Sequence, residues 1–188
     1  MKNKILLGLV TSSLLVAGLQ AAKVGESGVG IEIGILKSDA TSTVNGVSAD
    51  GDISTTYQAL RLGKYFDFGR LGATLAFVNE DGGTDGNYLA LSYDYVFYND
   101  GDFVPFVGAH MGYSRNEWSG RGISIDHNGF VYGLQAGLIY DFADEFEFEI
   151  GAKYSKTNVD GSASVPGYNI SLDVENSMQY YMSVGYKF

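Results

Sequence analysis

Eight segments of this chain carry apolar residues at every second position, and that period constrains the fold more than anything else in the sequence. A helix repeats near 3.6 residues. Alternation belongs to a strand with two chemically different faces. Residues 28–37 place Val29, Ile31, Ile33 and Ile35 opposite Gly30, Glu32 and Gly34. Residues 55–66 place Leu60 and Leu62 opposite Tyr57, Ala59, Arg61 and Gly63. The pattern returns over 71–79, 88–97, 103–114, 129–141, 146–156 and 171–188. Eight strands are expected.

The connections expected between them also alternate. Three are short, at 67–70, 98–102 and 142–145. Four are longer and polar, at 38–54, 80–87, 115–128 and 157–170. In an antiparallel barrel this collects the short turns at one end and the long loops at the other, with both chain ends at the short-turn end.

Which face points outward decides the class. One face is bulky: Ile, Leu, Phe, Tyr. The other is rich in Gly, Ala and Ser, with occasional charge. A soluble barrel buries its bulky face and wets the polar one. Eight strands enclose just enough space for side chains to fill, so small and polar residues fit inside and the bulky face fits lipid. The 26 glycines, 14 tyrosines and 11 phenylalanines suit this arrangement better than a helical bundle. The expected fold class is all-β, an eight-stranded antiparallel up-and-down transmembrane β-barrel. Aromatic clusters support it: Tyr65, Phe66 and Phe68 at one short turn, Tyr93 to Phe103 around the next, and Tyr140 to Phe148 around the third. Rings of this kind prefer the headgroup level.

Residues 1–22 read as a separate address. Lys2 and Lys4 precede an apolar stretch from Ile5 to Ala17, and Gln20-Ala21-Ala22 supplies small residues for cleavage. This is the form of a secretory signal peptide, which leaves residues 23–188 as the barrel domain. The whole chain has a net charge of −10. The signal contains two lysines and no acid, so the mature chain has ten bases against 22 acids, a net of −12. That balance argues against nucleic acid as a partner. With no cysteine there is no disulfide or thiolate metal site. The acidity is expected in the loops and the lumen.

The last nine residues, Tyr180-Tyr181-Met182-Ser183-Val184-Gly185-Tyr186-Lys187-Phe188, end in Phe with Tyr180, Met182, Val184 and Tyr186 alternating before it. This resembles the C-terminal signature of bacterial outer-membrane proteins, which the barrel-assembly machinery recognises. Residues 103–114, Phe-Val-Pro-Phe-Val-Gly-Ala-His-Met-Gly-Tyr-Ser, resemble the fifth strand of small OmpA-like and OmpW-like barrels, with His110 in place of the usual small residue. Residues 132–154 resemble the next hairpin of that superfamily. The resemblance implies a monomer in the cell outer membrane, surrounded by lipid and lipopolysaccharide. It implies a structural envelope role with displayed loops. The alternatives are a narrow path for ions or small hydrophobic solutes, and surface recognition. The sequence stops at Phe188, so a peptidoglycan-binding domain is not expected.

Charges facing a narrow lumen must be paired or hydrated. Glu32 and Arg61 fall at similar heights on the first two strands and are expected to pair. Asp94, His110 and Gln135 face the same space, and Glu149, Lys153 and Lys187 add both signs on the last two strands. A plug is the expected result. No catalytic residues, cofactor or metal are expected. Lipid A deacylases of this barrel type carry a His-x-Ser pair, but Met111 and Gly112 follow His110, and His127 sits in a loop without a nucleophile beside it. Asp50-Gly51-Asp52 and residues 80–87 read as solvated turns rather than a cation site. Trp118, with Arg115 and Arg121, is a candidate surface contact.

Overall fold

The computed structural model describes residues 25–81, 84–98, 103–120, 123–165 and 168–188. The expected signal over residues 1–22 lies outside them. The strands are β1 (Ser27–Val44), β2 (Val47–Phe66), β3 (Gly69–Asp81), β4 (Thr84–Val96), β5 (Phe103–Gly120), β6 (Ile123–Ala143), β7 (Phe146–Val165) and β8 (Tyr168–Lys187). Each pairs antiparallel with the next, and β8 pairs with β1 to close an eight-stranded barrel. The seam is tied at its end by reciprocal backbone hydrogen bonds between Ser27 and Phe188, at 2.9 and 2.8 Å.

The faces follow the alternation. Ile31, Ile33, Ile35, Leu62, Leu71, Leu91, Met111, Leu134, Met182 and Val184 stand outward and exposed. Glu32, Ala59, Ala90, Asp94, Gln135, Glu149 and Ser183 are buried inside. This is the inversion a lipid-facing wall demands. Near the short-turn end the outward rings meet in pairs: Tyr95 with Phe97 at 5.0 Å, Phe103 with Tyr140 at 5.0 Å, Phe142 with Phe146 at 5.9 Å. Tyr65 is a correction. It belongs to the inward face of β2, and its hydroxyl lies 2.6 Å from Glu147 Oε2. It is not part of the girdle.

The long loops are a second correction. Residues 38–44 and 47–54 are strand, joined only by Asn45 and Gly46. Asn45 has φ 50° and Gly46 φ 82°, the pair of positive values that a type I′ hairpin turn needs. The strand ends on either side of 82–83, 121–122 and 166–167 likewise leave two residues each. The asymmetry between the two ends therefore lies in strand length. β3 and β4 have 13 residues, and the other strands have 18 to 21. About 9–11 tilted residues suffice to cross a membrane, so the longer strands rise well beyond it.

They do not rise evenly. The β2–β3 ladder ends at Tyr57↔Val78 and the β6–β7 ladder at Asn128↔Asp160. Above those points β7, β8, β1 and β2 continue as one four-stranded sheet. The row at its base runs Asp50–Thr41–Asp173–Asp160 across all four strands, with Asp160 still facing Asn128 of β6. Bulges at Glu175 on β8, which has no partner between Asp39 and Ala40 of β1, and between Lys156 and Val159 on β7 mark where this sheet leaves the regular wall.

Candidate functional site: the charged lumen

Alternation aims one residue in two at the lumen, and eight strands bring those residues within reach of each other. Four carboxylates are buried there: Glu32, Asp94, Glu147 and Glu149. Four bases face them: Arg70, Lys153 and Lys187, all buried, and Arg61, whose side chain is 13% exposed. The interior is thus charge-balanced among the described residues. The expectation that the lumen shares the chain's acidity is wrong, because each uncompensated charge in so dry a space would cost several kcal/mol.

The contacts form one connected chain. Arg70 Nη2 donates to Asp94 Oδ2 at 2.8 Å and Nη1 to Glu149 Oε2 at 2.6 Å. Arg61 Nη1 donates to Glu149 Oε1 at 2.7 Å and lies 3.4 Å from Glu32 Oε2. Lys153 Nζ and Tyr57 Oη both donate to Glu32 Oε1 at 2.7 Å. Tyr181 Oη donates to Glu149 Oε1 at 2.6 Å. Lys187 bridges to Asp141 at the rim and lies 3.9 Å from Glu147 Oε2. Gln135 donates to the other oxygen of Asp94.

Aromatic faces also line the network. The Arg70 guanidinium lies 5.2 Å from the centroid of Phe106, and Lys153 Nζ 4.4 Å from that of Tyr181. Such stacking adds attraction for a cation already held by carboxylates. Beside Arg61, Arg70 and Glu147, against a wall of Gly28, Gly30 and Gly63, a cavity of about 20 Å³ remains. That is room for about one water.

A family model described as "Outer membrane protein beta-barrel domain" matches residues 7–188. The chain belongs to this family. Membership implies an outer-membrane location. No curated protein matches the chain. Solved structures agree on the fold. Outer membrane protein OprG from Pseudomonas aeruginosa is 16% identical, with a TM-score of 0.66, over 91% of this chain and 99% of that one. Outer membrane protein H (OprH) of the same organism is 26% identical, with a TM-score of 0.58, over 87% and 99%. AlkL, solved in lipid bilayers, is 12% identical, with a TM-score of 0.64, over 92% and 94%.

The barrel places all eight sequence-derived lumen residues on the inward face and joins most of them in one network. His110 and Gln135 do not pair, although they are near in height. Gln135 turns to Asp94. His110 Nε2 lies 2.9 Å from Ser155 Oγ on β7. The two meet across Gly133 of β6, which is the Cα partner of both. His110 Nδ1 has no hydrogen-bond partner among the described residues.

Five participants escaped the sequence reading. Arg70 falls within the expected turn 67–70, yet the turn closes at Phe68 and Arg70 already belongs to β3, two residues before the inward Gly72. Counting the alternation back from Gly72 would have found it. Glu147, Tyr57 and Tyr181 take inward positions of the alternation that carry no sign of the charges they meet, and Tyr65 reads as part of the aromatic girdle. Asp50, Gly51 and Asp52 lie in β2 rather than a turn. Arg115 is exposed on β5. The side chains of Trp118 and His127, residue Arg121 and most of the 80–87 cluster lie outside what the structure describes.

Proposed function

We propose that the protein is a non-conducting outer-membrane barrel whose role is structural and whose contacts with its surroundings are made by the wall and the displayed hairpins. The observation that carries this reading is the balanced network across the lumen, which leaves space for about one water beside Arg61 and Arg70. Arg70, held by Asp94 and Glu149 at once, spans the bore. Export by the signal over 1–22, a monomeric state, lipid and lipopolysaccharide as neighbours, and recognition of Tyr180, Met182, Val184, Tyr186 and Phe188 by the assembly machinery complete the proposal.

A catalytic role is not part of it. A serine activated by histidine needs a third group to orient the ring and a route for substrate. The unpartnered Nδ1 of His110 and the full burial of Ser155 argue against both. Planar-bilayer recording of the purified protein tests the main reading. Silence or rare brief openings are expected, and a steady large conductance would overturn it.

A narrow ion path is the second reading. One observation favours it: Arg61 is shared between Glu32 and Glu149, so its partners could exchange without leaving a charge bare. Openings that change in frequency with Arg61→Lys would support this path over a permanent plug.

A further inference from the structure

The sheet that β7, β8, β1 and β2 raise above the barrel has an open edge. Ten residues of β2, Val47 to Thr56, extend past the last β2–β3 pair at Tyr57↔Val78. Their other side is fully laddered to β1, up to Val44↔Val47. At the base of the edge Thr55 Oγ1 donates to the Asn79 carbonyl at 3.1 Å. Above it, over residues 48–54, no backbone partner occurs on the open side among the described residues. Every second residue of a strand directs its N–H and C=O toward such an edge, so this is a template for one more strand.

The two faces beside the edge differ. Asp50 and Asp52 share the outer face of β2 with the lipid-facing Leu60 and Leu62, and Thr41 Oγ1 donates to Asp50 Oδ1 there at 2.9 Å. Ala49 and Ile53 take the inner face, in register with the buried Ala59. The β1–β2 hairpin over residues 38–56 contains three acids, Asp39, Asp50 and Asp52, and no lysine or arginine, and the nearest base on its outer face is the exposed Lys37, opposite Ser54. Asp39 and Asp52 are directly opposite across β1–β2. Like charges so placed oppose each other, and an added strand with a cation on the outer face beside Asp52 would relieve this pair.

We propose that residues 48–54 of β2 are a docking site for an extended segment of another polypeptide that alternates basic and apolar residues, adding a strand to this sheet. Main-chain hydrogen bonds along the edge supply attachment, and the alternation supplies selectivity. The cations lie beside Asp50 and Asp52, the apolar residues continue the Ala49–Ile53 face. A second copy of this chain fits poorly. Antiparallel pairing of two β2 edges about Gly51 sets Asp50 of each against Asp52 of the other. The site is independent of whether the lumen conducts.

The test uses the whole protein in phosphatidylcholine nanodiscs and a capped heptapeptide of alternating Lys and Val. Saturable binding is expected, with slowed amide exchange confined to residues 48–54. A peptide of the same composition with its lysines contiguous should bind at least about tenfold more weakly. Two further peptides carry N-methyl groups on alternate amides. The set that faces β2 should abolish binding and the other set should retain it. The Asp50→Asn/Asp52→Asn variant should lose about five-fold in affinity, the scale of two cross-strand charge pairs, while its bilayer conductance stays that of the parent. Equal binding of both N-methylated peptides would reduce the effect to bulk charge and overturn the proposal. So would absent binding, protection elsewhere, or self-association of the protein through the same edge.

Discussion

Arg70 on β3 and Glu149 on β7 meet at 2.6 Å across the lumen, although their strands lie four places apart in an eight-stranded ring. Strands so separated are diametrically opposed, so this contact spans the bore. Arg70 also holds Asp94 at 2.8 Å. One side chain thus links three walls of the barrel.

Replacing Arg70 with Ala should therefore be the most damaging single change in the lumen. It takes the guanidinium from Asp94, which keeps only the Gln135 amide, and one of two guanidiniums from Glu149, and breaking a buried pair from one side costs about 3–5 kcal/mol. Urea unfolding in lipid vesicles should show a loss of that order, and bilayer recordings should show openings that the parent lacks. A variant as stable and silent as the parent would mean Arg70 closes nothing.

Lys153 and Glu32 should behave as a coupled pair. Lys153→Met leaves Glu32 with Tyr57 at 2.7 Å and Arg61 at 3.4 Å, so its carboxylate is only partly compensated. Adding Glu32→Gln removes the charge as well. The double variant should be more stable than the sum of the single losses predicts, with a coupling of about 1–3 kcal/mol. A double-mutant cycle on unfolding midpoints measures it, and additivity would show that the contact carries no net energy.

Gly133 should not tolerate even alanine. A Cβ there would lie 1.9 Å from the Tyr154 carbonyl and 2.8 Å from the Ser155 Cα, and neither backbone atom can step aside cheaply. The β6–β7 ladder must shift, at about 1–3 kcal/mol for overpacking. His110 and Ser155 should separate with it, visible as a changed His110 ring signal in NMR.

Phe188→Ala should divide assembly from stability. The exposed ring stacks on Tyr186 at 6.3 Å, while the closing hydrogen bonds to Ser27 use only backbone. Refolded protein should lose less than about 1 kcal/mol, within the usual range of surface substitutions. The amount reaching the outer membrane in cells should fall several-fold. Unchanged levels would show that the terminal ring is not read during assembly.

Much of the barrel was legible residue by residue. The lipid and lumen faces of β4, for example, follow from Leu89, Leu91, Tyr93 and Tyr95 against Ala90, Ser92 and Asp94, because a period of two needs no partner to be seen. The long hairpins were hidden by their composition. Residues 38–54 are Ser, Thr, Asp and Gly for the most part, and above the membrane neither face has lipid to mark it. The Asn45-Gly46 dipeptide was the available sign, since that pair favours the two-residue turn of a hairpin.

The chain alone, through its alternation, determines that there are eight strands, which face the residues of the membrane-spanning segments take in most places, and that the wall meets lipid. Partner choice inside the lumen was decided only by closure. Register and strand tilt bring Arg70 to Glu149, 79 residues away in sequence, and carry Gln135 to Asp94 instead of His110. The height of each strand pair is likewise a tertiary fact. Where the β2–β3 ladder stops at Tyr57↔Val78, β2 is left with an edge that no property of its own sequence announces, because an edge is defined by the neighbour that is missing.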